Sequence, residues 1–367
     1  MSIGASTIRL RISNAFGVSP LSITAVTIAL PFNGSSGVSA IQSDTLKNLT
    51  FSGNQSIVIP DQSLAVSDPV DFKIEPQSEL AVSIYLQDGQ TTNYITSHPG
   101  SRATTWYSFG KQVTATNLTI TNATEQSSAH WFFVSAVETW SPPSSGAFGI
   151  VGDSITDGRG SITDGNTRWP DLVLRRMQAN ASTSDIAVVN QAAGGNRILA
   201  DGNGPNAISR IDRDILAQSG IRYAMIFEGV NDIGVEPATP SAQQIIGDRI
   251  IQAYQQIITR VHTFGIPIFA ATITPFGAPN NTIQAYSDPE REKTRLRVNA
   301  WIRDSGKFDA VIHFDAIVRD PANHTQLNPA YNSGDYLHPN TSGYEAIAAA
   351  FPLGIFAEFA GGVGGFE

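Results

Sequence analysis

Asp335-Tyr336-Leu337-His338-Pro339 puts a carboxylate three residues before a histidine. At that spacing Asp335 can accept a hydrogen bond from one imidazole nitrogen and leave the other free to take a proton. A base oriented in this way is what a serine needs, because its hydroxyl is a poor nucleophile near neutral pH. Gly152-Asp153-Ser154-Ile155-Thr156 offers such a serine directly after the apolar run Phe148 to Val151. A serine in that position is by itself as well suited to a turn or a helix N-cap. The other histidines, His98, His130, His262, His313 and His324, have no carboxylate at the same spacing, and His313 reads as a structural residue of an apolar strand.

Acyl transfer also needs donors aimed at the oxygen that becomes negative in the tetrahedral intermediate. In Asn190-Gln191-Ala192-Ala193-Gly194-Gly195-Asn196 the glycines would let a backbone N–H approach that oxygen. In Glu228-Gly229-Val230-Asn231-Asp232 the Asn231 amide can aim a side-chain N–H at the same point. Asp153, Trp169, Arg197, Asp201 and Glu228 adjoin these stretches and are candidates to line a substrate pocket. A second Ser-Ile-Thr-Asp-Gly, Ser161 to Gly165, repeats part of the first. Ser161 follows Arg159-Gly160 rather than a strand, so no rigid element would aim its hydroxyl.

The elements that must hold these groups follow from hydrophobic pattern. Phe148 to Val151, Ile186 to Asn190, Tyr223 to Phe227, Ile266 to Ile273 and Ala310 to Phe314 are continuous apolar runs, as in parallel strands covered on both faces. Helical periodicity separates them at Trp169 to Ala179, Ala207 to Ala217, Ser241 to Phe264 and Asp288 to Arg303, and Thr341 to Phe351 forms a last helix. These units imply an α/β fold, a flavodoxin-like doubly wound five-stranded parallel sheet whose site lies beyond the carboxyl ends of the strands. All four candidate stretches fall at such ends. Before them, Thr7 to Ile12, Ile23 to Leu30, Ser56 to Ile59, Glu79 to Leu86 and His130 to Val137 are short, partly alternating runs punctuated by Gly, Asn, Ser and Pro. That pattern reads as an antiparallel β-sandwich. The expected organisation is a sandwich over 1–140, a linker over 141–146 rich in Pro and Ser, and a catalytic domain over 147–367.

Gly-Asp-Ser-Ile-Thr-Asp-Gly, the loop from Asn190 to Gly195, Gly-Val-Asn-Asp and Asp-x-x-His-Pro resemble, in order, the four blocks of the SGNH (GDSL-type) serine hydrolase superfamily. The resemblance covers roughly Phe148 to Ala360, with Ile155 where the namesake motif has leucine. It implies Ser154 as nucleophile and oxyanion donor through its own N–H, Gly195 and Asn231 as further donors, Asp335 as orienter and His338 as base. The N-terminal β-domain with Arg9-Leu10-Arg11-Ile12-Ser13-Asn14-Ala15-Phe16-Gly17 resembles a two-domain branch of that superfamily. The branch is described as esterases acting on acyl groups of polysaccharides such as acetylated xylan, or on aryl esters. The expected activity is therefore hydrolysis of short-chain, acetyl-type esters on carbohydrate. The competing readings are an aryl or lipase-like acylhydrolase and a carbohydrate-binding protein without catalysis. The latter has no use for Asp335 and His338 three residues apart. A lipase would carry an apolar lid, whereas the longest loop, Pro275 to Pro289, is polar. An α/β-hydrolase is disfavoured because no G-x-S-x-G occurs, and a phosphate-binding reading because no loop has P-loop or dinucleotide spacing.

Composition narrows the partners. The 367 residues, 41% hydrophobic and 15% charged, are a globular mixture. A net charge of -9 opposes phosphate-backbone binding, so no nucleic acid is expected. No apolar run approaches the ~20 residues of a membrane span, and Met1 to Arg9 lacks a positive-then-apolar leader. With no cysteine, thiol catalysis and thiolate metal ligands are excluded, and neither cofactor nor metal is expected. Asn33, Asn48, Asn54, Asn117, Asn122, Asn180, Asn280, Asn323 and Asn340 each begin an N-x-S/T triplet, where chance would give about three or four. A Ser/Thr-rich chain makes such triplets by accident and a secreted glycoprotein uses them; secretion is the expected localisation.

Overall fold

The computed structural model describes residues 1–118 and 126–364, so the triplet at Asn122 lies outside the described residues. The chain divides into two compact units, Met1–Pro143 with Thr163–Gly165, and Ser144–Ile162 with Asn166–Glu367. Each has its own apolar core.

In the first unit, Ala5–Ser13 pairs antiparallel with Val134–Thr139, Leu64–Val66 and Val70–Ile74. Ile8, Leu10 and Ile12 on that strand are all buried, as a period of two requires of the face turned to a core. Two of the expected strands are each divided. The run from Ile23 to Leu30 changes partner near Thr24: Leu21–Ile23 pairs with Ile57–Ile59, and Ala25–Ala29 with Ala81–Tyr85. The run from His130 to Val137 breaks at Phe133, which takes a left-handed φ of 63°. Trp131–Phe132 therefore pairs with Ser97–His98, while Val134–Thr139 joins the larger sheet. Apolar pattern marks extended chain but not where its ladder partner changes.

The second unit is built on five parallel strands, β1 (Gly146–Gly152), β2 (Ile186–Asn190), β3 (Ile221–Phe227), β4 (Ile268–Ala271) and β5 (Ala310–Ile312), in spatial order β2-β1-β3-β4-β5. This is the flavodoxin-like order, whose switch point lies between β1 and β3. The register pairs Gly152 with Phe227, so the chain leaves both strands at one level. The helices are α1 (Ser154–Asp157), α2 (Trp169–Gln178), α3 (Ala207–Ile211), α4 (Val230–Val235), α5 (Pro240–His262), α6 (Pro289–Asp304), α7 (Phe314–Val318), α8 (Thr341–Ala350) and α9 (Gly354–Glu358). In α5, Ile246, Ile250, Ala253, Tyr254, Ile257 and Val261 are buried, the single stripe that a helix lays on a sheet.

Two details differ from the sequence expectation. The helix over Ala207 to Ala217 is α-helical only to Ile211 and continues as a π-turn, Asp212–Leu216. The last strand stops at Ile312, and His313 is the exposed N-cap residue of α7 rather than a buried strand residue. Phe314, which looked like the strand's end, enters the core from the first turn of that helix.

Candidate active site

Ser154 is the first residue of α1, directly past β1 and one residue beyond Asp153. The corner is fixed by Asp153, whose Oδ1 accepts from the Ile155 N–H at 2.9 Å, an N-cap bond. As the first residue of a helix, Ser154 has an N–H with no intrahelical acceptor. Its Oγ lies 2.7 Å from His338 Nε2, and His338 Nδ1 lies 2.6 Å from Asp335 Oδ2. Ser154 and His338 are both buried.

The segment bearing Asp335 and His338 folds on itself. Asp335 Oδ1 accepts from the N–H groups of Leu337 (3.0 Å) and His338 (2.9 Å), and the Ser333 N–H donates to the His338 carbonyl. Partial burial alone would raise the Asp335 pKa. The hydrogen bond and charge of His338, with the two N–H groups, overcome that and hold the carboxyl well below its usual range. Asp335 is therefore a carboxylate, the proton on His338 Nδ1 points at it, and Nε2 carries the lone pair that faces the serine. Arg159 Nε is a further 3.9 Å from Asp335 Oδ2.

Both oxyanion candidates are tied to this corner. The loop after β2 is sewn to the end of β1 by the Ala193 N–H on the Gly152 carbonyl (2.9 Å) and to α1 by the Gly194 N–H on Asp157 Oδ2 (3.1 Å). Gly195 follows at φ 72°, where a side chain would be strained, and a Cβ there would come within 2.7 Å of Asn203 Nδ2. Asn231 is the second residue of α4, two residues after Gly229. Its Nδ2 donates to the Asn196 carbonyl at 2.9 Å, and its Oδ1 accepts from the Tyr286 hydroxyl at 3.1 Å. One Nδ2 hydrogen remains for a ligand oxygen.

Three of the five pocket candidates are placed elsewhere. Trp169 is fully buried, edge-on to Phe314 and stacked on Phe351, with its Nε1 on Thr156 Oγ1. It packs the core because it lies in the first turn of α2, facing the sheet. Asp153 is consumed by capping, and burial, with the nearby charges of Asp232 and Asp157, pushes its pKa to about 7 against the Ile155 N–H and Arg210. Glu228 points beneath the loops, its Oε1 2.9 Å from Arg210 Nη2. Burial raises it to about 8 despite that arginine, because Asp153 and Asp232 lie near and Arg210 also serves Asp214 at 2.8 Å. Arg197 and Asp201 stay in the loop between Gly195 and α3. Arg197 Nη2 bonds the Asp201 carbonyl, and the exposed Asp201 carboxylate accepts from the Asn206 N–H and Nδ2. Ser161, in the repeated pentapeptide, donates to the Gly158 carbonyl at 2.6 Å and faces no imidazole.

The sequence reading missed several supports. Arg210 bonds Asn196 Oδ1, the carbonyls of Gln191 and Gly152, and Glu228, joining the ends of three strands. Its signal was present: Arg210 and Asp214 fall on the same helical stripe as Ala207, Ile211 and Ile215, and charges on an apolar stripe four residues apart mark a buried pair. Tyr286 and Gln284, whose Nε2 donates to the Asp335 carbonyl at 2.7 Å, lie in the loop before α6 and have no local signal.

Solved structures similar to this chain include an acetyl xylan esterase from Geobacillus stearothermophilus (22% identity, 57% of this chain and 94% of the other, TM-score 0.41). They also include an aryl esterase from M. smegmatis (14%, 56% and 96%, TM-score 0.42) and a carbohydrate acetylesterase family member from Sinorhizobium meliloti (15%, 58% and 98%, TM-score 0.42). No curated protein matches. The model of the GDSL-like Lipase/Acylhydrolase family matches residues 150–346, more than half of the chain, from within β1 to within α8, and so includes the serine, histidine and aspartate. The chain belongs to that family and is a serine hydrolase of the GDSL type.

Proposed function

We propose that Ser154, His338 and Asp335 are the catalytic triad of an esterase that removes short acyl groups, acetyl above all, from carbohydrate. The observation that carries the triad is the unbroken relay from Ser154 Oγ through the imidazole to an ionised Asp335, at 2.7 and 2.6 Å. His338 Nε2 takes the serine proton as Oγ attacks the ester carbonyl. The oxyanion is held by the N–H groups of Ser154 and Gly195 and by Asn231 Nδ2. The intermediate collapses, the alcohol leaves with the proton from His338, and water repeats the cycle on the acyl-enzyme to release the acid.

The substrate class rests on the sequence resemblance of the N-terminal stretch Arg9 to Gly17, joined to this catalytic domain, to a branch of carbohydrate and aryl esterases, and on the polar loop from Pro275 to Pro289, which has no apolar lid for a lipid surface. Arg197 and Asp201 are the pocket residues of this reading. The density of N-x-S/T triplets supports a secreted, glycosylated protein.

Ser154→Ala should abolish ester hydrolysis while Ser161→Ala retains most of it; the reverse result refutes the triad. A panel of p-nitrophenyl esters from acetate to palmitate, run beside acetylated xylan with acetate release measured, tests the substrate. Dominance of long chains overturns the short-acyl reading. Activity on aryl acetates with none on xylan favours the arylesterase alternative.

A further inference from the structure

We infer that Tyr286 is a positioning residue of the oxyanion hole, its hydroxyl locking the Asn231 amide with Nδ2 toward the reacting oxygen. The inference rests on the proposed Ser154 mechanism and extends it to a residue outside the family blocks.

An asparagine amide is nearly symmetric in shape, so a buried one can turn over and exchange Oδ1 for Nδ2 unless both ends are specified. A reversed Asn231 would present an acceptor to a developing negative charge. The Asn196 carbonyl forbids the reversal, and a second partner pins the amide in the orientation that carbonyl sets. The Asn196 carbonyl can only accept, which places Nδ2 on its side and Oδ1 opposite, where a donor can hold it in place. Tyr286 is that donor, at 3.1 Å. Burial raises its pKa above the ordinary tyrosine value, so the hydroxyl keeps its proton throughout the working range of an esterase.

The ring is placed as deliberately as the hydroxyl. It lies on α4 where Gly234, one turn past Asn231, leaves room, and a Cβ at Gly234 would overlap it. Its other side meets Phe276 edge-on, with ring centroids 6.3 Å apart. The tyrosine is thus held by packing, and its hydroxyl adds a single function: fixing the amide.

Tyr286→Phe keeps the packing and removes that one bond. The expected result is a fall in kcat of about tenfold with KM within about twofold, the size of one neutral hydrogen bond acting in the transition state alone. Gly234→Ala, which keeps the hydroxyl and improves helix propensity, should shift the ring and lower kcat in the same way. In an Asn231→Ala background Tyr286→Phe should have no further effect, because a residue that acts through Asn231 has nothing left to position. Unchanged kcat in Tyr286→Phe, or a loss that adds in full to that of Asn231→Ala, overturns the inference while leaving the triad intact. Full activity in Ser154→Ala, measured in the same series, overturns the mechanism beneath it and this inference with it.

Discussion

Asp335 takes part in five hydrogen bonds within its own turn and the loop before α6, and only one of them reaches the imidazole. Asp335→Asn should therefore keep the local fold, since an amide oxygen can still accept from the Leu337 and His338 N–H groups. It replaces the acceptor for His338 Nδ1–H with a group that can favour the wrong tautomer. The expected loss is about a thousandfold or more in kcat with little change in thermal midpoint. Glu228 gives a prediction of opposite kind, in stability rather than rate. An unfolded glutamate titrates near ~4.3, whereas buried Glu228 titrates at about 8. Between those values the folded chain holds a proton that the unfolded chain has released, so stability falls as pH rises from about 4 to 8. Asp153, at about 7, and Asp232, at about 6, act with the same sign. Glu228→Gln, neutral throughout, should flatten the dependence by up to about 1.4 kcal/mol per pH unit, read from urea melts at pH 5, 6, 7 and 8. An unchanged slope would show that Glu228 is ionised on Arg210 across that range.

The corner between β3 and α4 shows what an element contributes beyond its residues. Gly229 sits at φ 113° and ψ -17°, and a Cβ there would come within 3.0 Å of Ile273 Cδ1 and 3.3 Å of the Tyr254 hydroxyl. That backbone turns the chain sharply enough for Asn231 to face the end of β1. Gly229→Ala should cost about 1–3 kcal/mol and lower the thermal midpoint by about 5 °C, with a fall in kcat from the misdirected amide. Differential scanning calorimetry beside kinetics on p-nitrophenyl acetate measures both. Corners of this sort were legible in the sequence because each combines a continuous apolar run with a glycine and a polar residue at its end. Ser154, Gly195 and Asn231 were read that way; the Asp335–His338 pair was read from its three-residue spacing, and it lies in the loop between α7 and α8 rather than directly at a strand end as expected. Adjacency to a corner misled for Glu228, since neighbours along a chain leave a strand end in opposite directions, one outward and one beneath, and for Trp169, since the first turn of α2 faces it into the sheet. Arg210, Tyr286 and Gln284 were not legible as partners because each meets its target from a distant segment; Tyr286 is 55 residues from Asn231. The sheet order followed from the alternation of strand and helix, whereas the strand breaks at Thr24 and Phe133 depend on long-range pairing that no local pattern encodes.

Among the described residues no helix is long and apolar enough to cross a membrane. The surface instead carries the N-x-S/T triplets on which the secreted reading depends, and the fold distinguishes among them. A glycan replaces one hydrogen of the asparagine Nδ2, so an occupied site must be exposed and must not use both hydrogens internally. Asn33, Asn48, Asn54, Asn180, Asn280 and Asn323 are exposed. Asn340 is different. It caps α8 by accepting the Gly343 N–H through Oδ1, and its Nδ2 donates to the carbonyls of Ala330 (3.0 Å) and Asn332 (3.2 Å). Those bonds pin the turn that ends two residues earlier in His338, and a sugar on Nδ2 would break at least one of them. Active protein from a eukaryotic secretory host should therefore carry glycans at several of the six exposed asparagines and none at Asn340, as read by glycopeptide mass spectrometry. Asn340→Gln should reduce activity through the displaced turn, while Asn280→Gln or Asn323→Gln should remove a glycan and leave kcat within about twofold. Occupancy of Asn340 in fully active enzyme would separate the position of His338 from the helix cap that follows it.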